Sequence, residues 1–146
     1  MKLSHITARY GELPILENFS LELPDSGVIC FFAPSGTGKT TLLNLLCGLL
    51  QPDSGSITGL EDRRFAFVFQ EDRLIPSLSA RDNVGLVLDW EHQELAARYL
   101  ADLNLSGWEN ALPQELSGGM QRRVAIARAF AYGEQCGQDT VYPLDE

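Results

Sequence analysis

The sequence predicts an α/β fold: one domain over residues 1–146, built on a sheet with a helical insertion in its middle. Three observations predict it. The continuous apolar run Val28-Ile29-Cys30-Phe31-Phe32 leads through a glycine-rich segment into leucines at helical spacing. A second continuous run, Phe65-Ala66-Phe67-Val68-Phe69, follows, and from residue 79 to 131 apolar residues recur at the helical period. At 146 residues, 45% hydrophobic and 21% charged, the chain is long enough for one domain with a core and too short for two ordinary ones.

Taken in order, Phe19, Leu21 and Leu23 alternate with polar residues, the pattern of a half-exposed strand. Pro24-Asp25-Ser26-Gly27 is turn chemistry, and the run Val28–Phe32 reads as a strand buried on both faces. From Gly38 the period changes: Leu42, Leu45, Leu46 and Leu49 form a helical stripe that Gln51-Pro52-Asp53-Ser54-Gly55 stops. The second buried strand, Phe65–Phe69, ends at Gln70, and residues 71–79 form a polar, proline-bearing loop. Ser79 with Asp82 three residues on resembles a capping box ahead of Val84, Val87 and Leu88. Leu95, Tyr99, Leu100 and Leu103 make another helix, closed by Asn104-Leu105-Ser106-Gly107. A third starts at Ser117 and runs to about Ala131, with Met120, Val124, Ala127 and Ala131 as its apolar face. There is no internal repeat and no low-complexity segment.

Lys and Arg total 11 against 20 Asp and Glu, for a net charge of −9, which repels phosphate backbones and excludes nucleic acid as the expected partner. The longest apolar stretches, residues 28–33 and 42–50, fall short of the roughly 20 residues that span a bilayer. Met1-Lys2-Leu3-Ser4-His5 lacks the apolar core of a signal peptide, so the cytoplasm is the expected compartment. Cys30, Cys47 and Cys136, odd in number and without CxxC spacing, are expected to be buried, inert thiols.

Ala33-Pro34-Ser35-Gly36-Thr37-Gly38-Lys39-Thr40 lies between a buried strand and a helix, the context that the phosphate-binding P-loop pattern requires. Gly36 and Gly38 let backbone N–H groups turn inward around an anion, and the helix N-terminus adds partial positive charge. Lys39 can reach the β- and γ-phosphates of ATP, and the Thr40 hydroxyl can ligate Mg²⁺. Ser35, Gly36, Thr37, Gly38, Lys39, Thr40 and Thr41 are thus the candidate nucleotide-binding residues of this loop. The pattern begins with glycine, and Ala33 stands in that place: it is strained if the backbone needs a positive φ and harmless otherwise. The plainer alternative is a glycine-rich turn with Lys39 solvated at a helix start.

Leu116-Ser117-Gly118-Gly119-Met120-Gln121-Arg122-Arg123 resembles the LSGGQ signature of ATP-binding cassette (ABC) ATPases, and with the P-loop upstream and Gln70 between them the match covers most of the chain. This resemblance implies a P-loop NTPase of the ABC type, with an N-terminal antiparallel β region and a helical signature subdomain over about residues 78–131. It implies that Tyr10, just before Gly11, stacks on adenine, and that Gln70 touches Mg²⁺ or the attacking water while the loop after it contacts a membrane partner. Ser117, Gly118 and Gly119, at a helix N-terminus, would bind the γ-phosphate held by another protomer. The implied unit is a head-to-tail dimer of ATPase protomers with two ATP between them, clamped on transmembrane permease subunits at the inner face of the cell membrane. Met120 stands where many members have Gln. Phe69-Gln70-Glu71-Asp72-Arg73-Leu74-Ile75-Pro76 and Asn83-Val84 look like the subgroup for nitrate, sulfonate or taurine uptake.

The family places a Walker B strand before Asp-Glu, and here Val141-Tyr142-Pro143-Leu144-Asp145-Glu146 occupies that place. Asp145 would hold Mg²⁺ through water and Glu146 would be the general base. Pro143 removes a donor from an interior strand, and residues 133–140 are more polar than the family usually shows. Nothing in this sequence follows Glu146, so the domain is expected to be incomplete after the Walker B strand, without the strand bearing the switch histidine; His5 and His92 match no family position. His5 is expected in a strand and His92 on a solvated helix. Without that strand, the P-loop and Walker B strands would lie about two inter-strand spacings apart, roughly 9.6 Å, with unpaired edges. The functional expectation is the ATP-binding subunit of an importer, coupling ATP binding and hydrolysis to solute uptake. The alternative is a truncated nucleotide-binding fragment without competent hydrolysis. A cassette ATPase of DNA repair or translation shares both motifs, but no coiled-coil insertion appears and the charge is adverse.

Overall fold

The structure, a computed structural model, describes every residue except Asp62, Gln138 and Glu146. The chain divides before Arg63: the residues up to there, with Asp145, form one compact unit, and Arg63–Leu144 form the other.

In the first unit, β1 (Lys2–Tyr10), β2 (Leu13–Glu22) and β3 (Ser54–Thr58) form an antiparallel sheet in the order β2-β1-β3. Leu3 and Ile6 are three residues apart, so a regular strand would turn them to opposite faces. A bulge between them, with His5 at φ 54°, puts both in the core with Ala8. The His5 ring Nδ1 lies 2.7 Å from the Asn18 Oδ1 across the hairpin. Against this sheet packs α1 (Lys39–Leu46), burying Leu42, Leu45 and Leu46 against Leu3, Ile6 and Leu23. The helix is shorter than its leucine stripe predicts: it ends at Cys47, and Leu49 is exposed.

The expected buried strand Val28–Phe32 is not one. Among the described residues it lies outside every helix and strand; Val28 is 100% and Phe32 98% exposed. Reading a continuous apolar run as buried on both faces presupposes a neighbouring strand on each side, and the sheet of this unit offers it none. Cys30 is exposed for the same reason, contrary to the expectation of buried thiols, while Cys47 and Cys136 are half-buried. Burial pushes the Cys47 thiol up to about 12.

In the second unit, α2 (Ala80–Gly85), α3 (Glu94–Asp102) and α4 (Gly118–Cys136) enclose an apolar core of Ala80, Val84, Leu95, Leu100, Val124 and Ala127, among others. Ser79 caps α2, its hydroxyl oxygen accepting from the Asp82 N–H at 3.1 Å and donating to the Asp82 carboxylate at 2.6 Å. Ser117 caps α4, which runs past the predicted end at Ala131 to Cys136, with Gly137 closing it. His92 sits in a 3₁₀ turn, Trp90–His92, with its Nδ1 buried and, among the described residues, without a hydrogen-bond partner, so it is not a solvated helix residue. The predicted strand at 65–69 narrows to β4 (Arg64–Phe65), parallel to β5 (Thr140–Val141), plus a single bridge between Val68 and Leu144. Pro143 is the reason. Its carbonyl accepts from Val68 at 2.9 Å, but it has no N–H to return, and regular pairing stops at Val141. Among the described residues, no helix is long and apolar enough to cross a membrane.

Candidate nucleotide-binding site

The glycine-rich loop between Ala33 and α1 is laced by its own side chains. The Lys39 ammonium donates to the carbonyls of Ala33 at 2.8 Å and Pro34 at 2.9 Å, and the Thr37 hydroxyl donates to Pro34 at 2.8 Å. Gly36 (φ 81°) and Gly38 (φ 91°) take the left-handed turns that let the chain double back over the helix start. A methyl on Gly38 would also lie 2.7 Å from the Ile15 side chain. Ala33 is not among the residues with positive φ, so its methyl is harmless. Among the described residues no side-chain hydrogen bond caps α1, which leaves the amides of its first turn without a side-chain cap, as anion binding at a helix N-terminus requires.

Thr40, in the first turn of α1, donates its hydroxyl to Asp145 Oδ1 at 3.1 Å, across 105 residues of sequence. The Asp145 residue is 7% exposed. Two hard oxygen donors therefore sit side by side next to the loop. Among the described residues no cluster of three His, Cys, Asp or Glu exists that could cage a metal alone. The pair suits a cation that takes one or two protein oxygens and keeps phosphate oxygens and waters as its other ligands, which is the habit of Mg²⁺.

Of the remaining candidates in this unit, Ser35, Gly36 and Thr37 are exposed on the loop. Thr41 is buried, on the core side of α1. Tyr10 ends β1 and is 55% exposed rather than packed in the core. In the second unit, Gln70 lies exposed beyond β4, and Ser117, Gly118 and Gly119 are exposed at the start of α4, where the Ser117 hydroxyl accepts from the Met120 N–H at 3.3 Å. Glu146 lies outside the described residues.

Sequence reasoning missed a set of polar side chains around residues 69–79. Asn83, fully buried, accepts from the Ile75 N–H at 2.7 Å and donates to the carbonyls of Ile75, Leu78 and Ser79. Arg122 donates to the Phe69 carbonyl and faces the Asp72 carboxylate at 3.4 Å. Arg128 donates to the carbonyls of Asp72 and Arg73; burial lowers its guanidinium from the ordinary value, and Asp72 opposes that. No spacing rule links residues fifty or more apart, so nothing local signals the bonds of Arg122 and Arg128.

The sequence profile of the ABC transporter family matches residues 16–146. The chain belongs to the ABC transporter family. Within it, the chain is 42% identical over 132 residues to the aliphatic sulfonates import ATP-binding protein SsuB 3 of Rhodococcus jostii, covering 89% of this chain and 48% of that one. It is 35% identical over 145 residues to the Fe(3+) ions import ATP-binding protein FbpC of Escherichia coli K12, covering 89% and 42%. The chain thus spans about half the length of the curated ABC relatives it matches. Among solved ABC structures, a dimeric post-hydrolysis state of the ATP-binding cassette MJ0796 bound to ADP and Pi superposes with a TM-score of 0.76 at 31% identity, over 90% of this chain and 69% of that one.

Proposed function

We propose that this chain is the ATP-binding part of an import-type ABC transporter, in which ATP binding and hydrolysis drive solute uptake. The observation that carries the proposal is the pairing of Thr40 with Asp145 beside a loop laced by Lys39. The loop amides and Lys39 would bind the phosphates of ATP, and Tyr10 its base. Thr40 and Asp145 would hold Mg²⁺, which supplies positive charge against the phosphate oxygens. Gln70 would orient the attacking water and Glu146 accept its proton. A second protomer, arranged head to tail, would close Ser117–Gly119 over the γ-phosphate; the dimeric relative bound to ADP and Pi supports this assembly. Residues 70–79 would dock on transmembrane permease subunits, placing the chain on the inner face of the cell membrane. The sulfonate importer among the relatives supports an oxyanion or sulfonate solute.

A second reading, nucleotide binding without competent turnover, is favoured by one observation. The run leading into the loop, Val28–Phe32, is in no sheet, and hydrolysis demands rigid placement of the reacting groups where binding does not. Calorimetric titration of the whole chain with ATP and magnesium tests both. Binding that weakens about 100-fold or more in Lys39→Ala, the loss of roughly 3 kcal/mol of charge-assisted contacts, is the expected result. Unchanged affinity in that variant sinks the assignment of the loop. Turnover near one per second that Lys39→Ala abolishes decides for the first reading, and tight binding without turnover for the second.

A further inference from the structure

A break in the register of β2 aims a side chain at the phosphate loop. Ala8 pairs with Leu16 and Arg9 with Pro14, so over this step β2 has one residue more than β1, and that residue is Ile15. The arrangement is a β-bulge, a device that re-aims side chains and is common beside active sites. The sequence favours it here: Pro14 has no N–H to give to a ladder, and β2 is an outer strand, where proline is tolerated. Neighbouring residues of a regular strand face opposite sides, but Ile15 and Leu16 turn to the same target. A methyl on Gly38 would lie 2.7 Å from the Ile15 Cγ2 and 3.6 Å from both the Ile15 carbonyl oxygen and the Leu16 Cδ2. The Ile15 methyl thus stands where a side chain at position 38 would be. Leu16 also packs against the core of this unit, whereas Ile15, half-buried, is outside that packing among the described residues.

What the loop offers an anion follows from the conformation of Gly38. At φ 91° it turns the chain into α1, and its carbonyl accepts from the Leu42 N–H at 2.8 Å, the opening bond of the helix. Glycine adopts positive and negative φ about equally readily, so the residue by itself does not hold this turn. Lys39 and the first-turn amides come directly after it, and a change of φ at Gly38 would swing them all. We propose that Ile15 is a positioning residue of the phosphate loop: its Cγ2 methyl, re-aimed by the bulge, holds Gly38 in the left-handed turn, so that Lys39 and the amides are set for phosphate before it arrives. The inference rests on the reading above, in which this loop takes the phosphates of ATP. A loop ordered in advance loses less freedom on binding, and affinity rises accordingly.

Calorimetric titration of the whole chain with inorganic tripolyphosphate and magnesium tests this, because that probe has no base for the hairpin to touch. Ile15→Val keeps the Cγ2 methyl, whereas Ile15→Leu keeps the side-chain volume but moves the branch one carbon outward. The expected result is binding within about threefold of the parent in Ile15→Val, and binding weakened at least tenfold in both Ile15→Leu and Ile15→Ala. In the ligand-free chain the Leu42 N–H exchanges at least fivefold faster in the Leu and Ala variants and within twofold of the parent in Ile15→Val. An Ile15→Leu chain that binds tripolyphosphate as the parent does, or an unchanged Leu42 exchange rate in it, shows that bulk alone matters and overturns the proposal. An Ile15→Val chain weakened as much as Ile15→Leu overturns it as well. Variants weakened toward ATP but not toward tripolyphosphate set Ile15 against the base instead, which also overturns it. Should Ile15→Ala fail to fold, Ile15→Leu gives the reading; an Ile15→Leu chain that does not fold marks Ile15 as a core side chain and decides against the proposal. A parent that does not bind tripolyphosphate sinks the functional reading and this role together. A parent that binds it, loses it in Lys39→Ala and is indifferent to residue 15 leaves the functional reading standing.

Discussion

Gly55 decides whether β3 can join its sheet. At φ 94°, a methyl there would lie 2.5 Å from the carbonyl oxygens of both Ser4 and His5, which are backbone atoms of β1 and cannot swing away. Gly55→Ala therefore combines left-handed strain with a backbone clash, and we expect a loss of about 3 kcal/mol or more, measured by urea unfolding. Ala33 shows the opposite case. It replaces a glycine of the pattern, but its φ is not positive, so the sequence departs from the motif at no conformational cost.

At the scale of elements, α3 and α4 are joined by a surface cluster in which the Glu134 carboxylate accepts from Arg98 and, at 2.6 Å, from the Tyr99 hydroxyl. These bonds hold the Glu134 carboxyl below the ordinary glutamate value, Arg98 contributing most. A carboxyl depressed in the folded state adds stability above its unfolded value, about 4.3, and loses that contribution as pH falls through the folded value. The melting temperature should therefore drop on acidification below pH about 4.5, and Arg98→Gln should flatten that drop; an unchanged acid profile refutes the link. Helices were the legible part of this fold. The Ser79 cap, the stripe Val124, Ala127 and Ala131, and the loop ahead of Lys39 were all readable, because each is a local pattern of side-chain type and spacing. Strands were not, because the state of an apolar run depends on distant partners. Val28–Phe32 has no neighbour in its unit, and Phe65–Phe69 loses regular pairing opposite Pro143. The candidate site divides the same way. Lys39 and Thr40 come from a contiguous motif, whereas Asn83, Arg122 and Arg128 act through bonds to backbone carbonyls, and Asp72 through its pairing with Arg122, none of which a periodicity announces.

At the scale of the whole molecule, two compact units each arise from a nearly contiguous stretch of chain, with Asp145 the residue that rejoins the first. Between β2 and α1 the first stretch exposes two large apolar residues almost completely, Val28 and Phe32. Replacing both with Thr and Ser should leave stability within about 0.5 kcal/mol, since nothing buries them, and should lower self-association in light scattering. A run of this kind also has a second reader. Protease clefts accept substrate as a lone strand with its backbone groups free, and residues 28–32 already meet that requirement. Chymotrypsin should make its first cut after Phe31 or Phe32, leaving a fragment that starts at Phe32 or Ala33; a first cut after Trp90, 91% exposed but inside a helical turn, would contradict this. Such a cut parts β1 and β2 from Lys39. The exposure of the segment beside the phosphate loop thus bears on how long the site survives proteolysis.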